Sequence, residues 1–179
     1  MVSAADVVSF WQDAGPDKWF TKSDAFDAEI KARFLATIEA ARRGEHDVWA
    51  QTPAGAVALI IVLDQFPRNV FRDTPEMFAS DAKALDVAST AIEAGHDQRI
   101  ERALRPFIYM PFMHAEDLAM QTRCVALFEA HGVEENLRFA HIHADAIRRF
   151  GRFPHRNVIL GRTSTPDELK YLADGGFAG

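Results

Sequence analysis

The sequence contains one cysteine, Cys124, in 179 residues, which excludes an intramolecular disulfide and fits a reducing compartment. It also lacks a long apolar run: the longest, Ala54 to Leu63 (AGAVALIIVL), falls short of the roughly 18 residues that a membrane helix requires. The opening stretch MVSAADVVSFWQDAG sets Asp6 and Asp13 around a short apolar patch without a basic region, so it is not expected to act as a signal peptide. There is no glycine-rich phosphate loop, no HExxH, no CxxC and no nucleophile elbow,. Ser80, Ser89 and Cys124 have no activating base in their local sequence, and Cys124 is expected to pack in the core. Positive charge is scarce as well. A net charge of −6 argues against general nucleic-acid affinity, which needs a basic surface to displace counterions. These absences point to a cytoplasmic protein with neither nucleic acid nor membrane as a partner.

At 20.0 kDa, residues 1–179 are expected to form a single domain, long enough to bury roughly 70% of its unfolded surface. Helix signals recur along its length. Ser3 caps a first helix to about Asp13, closed by Gly15-Pro16, and Ser23 or Asp24 opens a second that stops at Gly44,. Thr52-Pro53, Thr74-Pro75 and Thr165-Pro166 each pair a capping threonine with a proline at the first helical position,. Between Pro106 and Met113 an aromatic passage with two prolines reads as an irregular buried wall. Helices follow from His114 to Gly132 and from Val133 to Phe150 or Gly151, and Gly175-Gly176 reads as a frayed tail,. The predicted fold is all-α, built from antiparallel helical hairpins.

Against this background one phrase is written twice. Phe66-Pro67-Arg68-Asn69-Val70 returns as Phe153-Pro154-His155-Arg156-Asn157-Val158, and each proline is expected to force a helix to stop and to aim the polar residues after it. Charge is concentrated near the second copy: Arg138 to Arg162 holds six arginines and one acid, Asp145, in a chain of −6. Polar residues also fall on apolar faces. Asp64 sits inward in the last turn of its helix, the wrong end for an anion, so it should have a cationic partner in Arg68, Arg72 or the second corner. His114, Asp117 and Gln121 line up with Cys124 and Phe128, and His143 shares a face with Phe139, Ala146 and Phe150.

Each feature has a structural reading. His143 can be a hydrogen-bonded core residue, Glu116 and Asp117 can complement a helix dipole, and Asp64, Arg68 and Arg156 can form an ion network, because buried charges must be paired. Their convergence supports a pocket. In that reading His114 or His155 transfers a proton, and Asp64 and Asp117 orient the cations and imidazoles. Asp64, Arg68, Asn69, Arg72, Gln121, His143, Arg156 and Asn157 bind a small anionic molecule. The alternative is an interaction module whose groove holds an acidic peptide. A metal site from His114, Glu116 and His155 or His141 has no ligand spacing behind it, so no metal is expected.

The segments LDQFPRNVFR, PFMHAEDLAMQ and RFGRFPHRNVILGRTSTPDE resemble the signature segments of the bacterial family catalogued as domain of unknown function 924, with similarity from Trp19-Phe20 to Leu172. The resemblance implies an all-α fold related to the tetratricopeptide-repeat superhelices, here an irregular α-α superhelix. It implies no reaction and no cofactor.

Overall fold

In the computed structural model, which describes residues 2–179, ten α-helices are connected by short loops, some with a 3-10 turn: α1 (Ala4–Ala14), α2 (Pro16–Trp19), α3 (Asp24–Arg42), α4 (Pro53–Ile60), α5 (Phe66–Val70), α6 (Asp81–Glu93), α7 (Arg105–His114), α8 (Leu118–His131), α9 (Glu134–Phe150) and α10 (Pro166–Ala173). Among the described residues there is no β-strand, and no helix is long and apolar enough to cross a membrane. The chain divides into two compact units, Met1–Pro111 and Phe112–Gly179, with the boundary inside α7.

In the first unit α4 is the centre. Thr52 caps it by accepting the Gly55 amide, and every residue from Ala56 to Leu63 is buried, which explains the uninterrupted apolar run. Helices α1 and α6 pack on α4, and α3 packs on α5. Phe10, Trp11, Phe26, Phe34 and Phe66 fill the space between them as a chain of ring contacts. The inner face of α6 is lined by small residues, Ala84, Ala88 and Ala91, which allow close approach to α4.

Two proline expectations are corrected. Pro67 does not stop its helix, because Ile61–Gln65 forms a π turn and Phe66 donates to the Ile61 carbonyl five residues back, so the chain runs helically into α5,. The passage from Pro106 to Met113 is helical rather than irregular. Pro106 lies in the first turn of α7, where its missing N–H costs nothing, and only Pro111 lies within the helix,.

In the second unit α8 and α9 form a hairpin. Gly132 and Gly151 close the two helices in the left-handed conformation, as a C-terminal glycine does most readily. The second copy of the motif lies beyond α9 in a 3-10 turn, Pro154–Arg156, and α10 follows behind a capping box between Thr165 and Glu168.

Candidate functional site

The second unit gathers most of the candidate residues. Asp117 is the N-cap of α8 and accepts the Met120 amide at 2.9 Å. One turn on, Gln121 is fully buried and its Nε2 donates to the carbonyls of Met113 (2.7 Å) and Ala115 (2.8 Å). It thereby serves acceptors at the end of α7 that the helix leaves open. Its Oε1 is buried without a hydrogen-bond partner.

The loop after α9 is fixed by a run of charge-assisted bonds. Glu116 accepts the Phe153 amide at 2.8 Å and both terminal nitrogens of Arg162 at 2.6 and 2.9 Å. Arg162 also donates to Asn157 Oδ1 at 2.9 Å. Asn157, fully buried, donates to Ser164 Oγ at 3.1 Å and Glu168 Oε2 at 3.2 Å, and Glu168 receives Arg152 at 2.7 and 2.9 Å. The Arg152 bond, with help from the Thr165 amide, holds the Glu168 carboxyl down at about 2. Burial pushes Glu116 upward, but the bonds from Arg162 and Phe153 outweigh it and leave its pKa below the ordinary value,. Planar guanidinium forks suit this bracing.

The braced loop presents Phe153, His155 and Arg156. Around Phe153 and Phe177 three imidazoles come together: the His143 ring centroid lies 6.3 Å from His114, 5.6 Å from Phe153 and 4.2 Å from Phe177. His155 lies 5.6 Å from Phe153 and 5.0 Å from Phe177. Arg156, 7% exposed, stands over the Phe153 ring with Cζ 4.6 Å from its centroid.

His143 Nδ1 lies 2.8 Å from the Phe139 carbonyl. A carbonyl only accepts, so Nδ1 carries the proton and Nε2 holds a lone pair. Burial, followed by His114, lowers the His143 pKa to about 3. Burial, followed by the Arg156 charge, lowers His155 to about 4. Its Nδ1 is buried without a hydrogen-bond partner. Cys124 is buried, its thiol pushed up to about 12. Among the described residues no three of the His, Cys, Asp and Glu side chains are grouped to hold a metal ion.

The polar residues of the first motif form a network wholly within Met1–Pro111. Arg68 reaches Asp64, which is fully buried, at 3.2 Å, and both Asp81 oxygens at 2.9 Å. Gln65 donates to Asp64 Oδ2 at 2.5 Å. Asn69 donates to Asp27 at 2.8 Å and Arg72 donates to the same carboxylate at 3.0 and 2.9 Å. Burial acts to lower the Arg68 pKa, but Asp64 and Asp81 outweigh it and raise it. Sequence reasoning placed Asp64 beside Arg68. It did not foresee Asp27 and Asp81 as the other acids, it named Glu116 and Arg162 without pairing them, and it missed Phe177.

The sequence profile of a bacterial family, described as a bacterial protein of unknown function (DUF924), matches residues 7–176. The chain belongs to the DUF924 family. A solved structure of a protein of unknown function from Agrobacterium tumefaciens is similar, with 49% sequence identity and a TM-score of 0.93, over 96% of this chain and 97% of that one. No curated protein matches. The family resemblance read from the three motifs is therefore borne out.

Proposed function

We propose that the second unit binds a small anionic molecule, with Arg156 as the fixed positive charge and with His155 and His114 as the groups that exchange a proton with it. The observation carrying this reading is the state of His155: its ring is neutral beside a buried guanidinium, and its Nδ1 is enclosed with no hydrogen-bond partner. Buried polar atoms are nearly always satisfied, so an unpartnered imidazole nitrogen next to a cation suits a ligand that carries negative charge and can exchange a proton. An anion there would offset the effect of Arg156 and raise the His155 pKa towards the range where an imidazole transfers protons near neutrality. His143 adds a lone pair at Nε2, Gln121 holds the backbone at the end of α7, and Asn157 ties together Arg162, Ser164 and Glu168. Asp117 positions the start of α8. In this reading Asp64, Arg68, Asn69 and Arg72 bind no ligand and instead hold the first unit together.

Thermal melting in inorganic phosphate, dicarboxylates and nucleotides tests the proposal. A ligand at about a hundred times its dissociation constant adds about 2.7 kcal/mol, a rise in Tm of roughly 5 to 10 °C for a chain of this size. Arg156→Gln should lose that rise. If no anion stabilises the wild type and Arg156→Gln melts far lower, the cluster is scaffold.

An acidic segment lying along α9 is the second reading, and an open groove of about 750 Å³ lined by Leu137, Arg138, His141 and Tyr171 favours it. Glu134 and Asp145 in the same lining oppose it.

A further inference from the structure

We propose that Phe177 is a gate: its ring closes the histidine cluster towards the open groove along α9, and swings away on the Gly175-Gly176 pair to admit a ligand. The proposal rests on the anion-site reading and concerns access to that site.

Phe177 belongs to two environments. It lines the groove of about 750 Å³ together with Ile142, His141, Tyr171 and Gly175. It also packs against the buried cluster of Ala146, Ile147 and Phe153, with its ring 4.2 Å from His143 and 5.0 Å from His155. A side chain that forms the wall between a solvent-open groove and enclosed imidazoles sets the access between them. Phe177 is itself only half-buried, whereas His143 behind it is 7% exposed.

The hold on this wall is slight and local. The Phe177 amide donates to Tyr171 Oη at 2.9 Å. Preceding it, Gly175 has φ +83°, which favours glycine,. Gly176 lies against Tyr171, where an added Cβ would come within 2.6 Å of the ring. Two adjacent glycines give the backbone freedom where a swing requires it, and the Tyr171 hydroxyl is a latch whose removal leaves the ring packing of Tyr171 intact. Gly179 lies against the same histidine, with an added Cβ 3.3 Å from His155 Cδ2, so the segment after Phe177 covers the site as well.

Diethyl pyrocarbonate, which modifies neutral imidazoles, reads access residue by residue when the products are mapped by mass spectrometry. In the wild type at pH 7, His143 and His155 should react at least tenfold more slowly than the exposed His141. Phe177→Ala should raise both rates tenfold or more, leaving His141 and the buried His131 unchanged. Tyr171→Phe should raise them several-fold with a melting temperature close to that of the wild type, which keeps the test decisive if Phe177→Ala folds poorly. Unchanged rates at His143 and His155 in both variants would overturn the gate, and so would an equal rise at His131, which would report loosening of the whole unit. Inorganic phosphate separates the gate from the reading beneath it. Protection of His155 by phosphate with unaltered variant rates upholds the anion site and removes the gate. Raised rates with no phosphate protection uphold Phe177 as the barrier and remove the anion site.

Discussion

The Ser80 hydroxyl donates a 2.7 Å hydrogen bond to the carbonyl oxygen of Leu63, the acceptor four residues before Pro67 that a proline cannot serve. The pair explains how the first Phe-Pro-Arg-Asn phrase stays helical. The π turn makes room for the proline ring, and a side chain from the segment before α6 takes the carbonyl that the ring leaves open. Arg68 takes the next one, donating to the Asp64 carbonyl at 2.6 Å.

Ser80→Ala should therefore cost about 1 to 2 kcal/mol, because a buried carbonyl loses its partner while little volume is removed. Urea unfolding should show a lower midpoint with an unchanged slope. A neutral result would mean that the helix satisfies Leu63 by itself.

A larger loss is expected for Arg68→Gln. Asp64 has no exposed surface, and removing its guanidinium leaves a buried carboxylate facing Asp81, a change that costs about 3 to 5 kcal/mol. Arg68→Lys should recover only part, since one ammonium cannot reproduce the fork across two carboxylates. Asp81→Asn should cost less than Arg68→Gln, because Asp81 is 18% exposed and the Asp64 pair survives. Equal losses for the two variants in calorimetry would contradict the ranking.

The readable parts of this chain were those decided within a few residues. Ser3, Ser23, Thr52 and Thr165 cap their helices as the local pattern suggests, because the cap and the amide it serves are neighbours in sequence. Whether Pro67 stops a helix is not a local matter. It depends on a donor for the freed carbonyl, and that donor is Ser80, 17 residues on. Glu116 next to Asp117 looked like dipole compensation, and Asp117 does cap α8, but the partner of Glu116 is Arg162, 46 residues away. His143 was legible as an inward polar residue because helical spacing announces it. Phe177 was not, since an aromatic ring after two glycines carries no periodic signal. Its contact with the histidines arises only when the chain passes back over α9.

The neutral histidines make a pH dependence the most discriminating measurement. Above pH 6.5, the ordinary value for a histidine, folded and unfolded chains both hold His143 and His155 neutral, and the full stability is present. Below it the unfolded chain takes up protons that the folded chain refuses until about pH 4 at His155 and about pH 3 at His143. Stability must therefore fall as pH falls, by up to about 1.4 kcal/mol per unit for each histidine. The lowered carboxyls act in a later window: the stability contributed by Glu168 is present above its ordinary value of 4.5 and is lost as pH drops towards about 2. Between pH 6.5 and 5 the histidines thus act without Glu168, and His143 alone should account for about 2 kcal/mol of loss. His143→Gln, whose amide can still donate to the Phe139 carbonyl, should flatten the slope across this range in urea unfolding. A variant curve parallel to the wild type would show that His143 is not the proton-refusing group. Sulfate, which does not titrate here, should also reduce the slope if an anion binds beside Arg156, because its charge lifts the folded pKa of His155 towards the unfolded one. A slope that sulfate leaves unchanged would separate the buried histidines from the anion site and retain only the former.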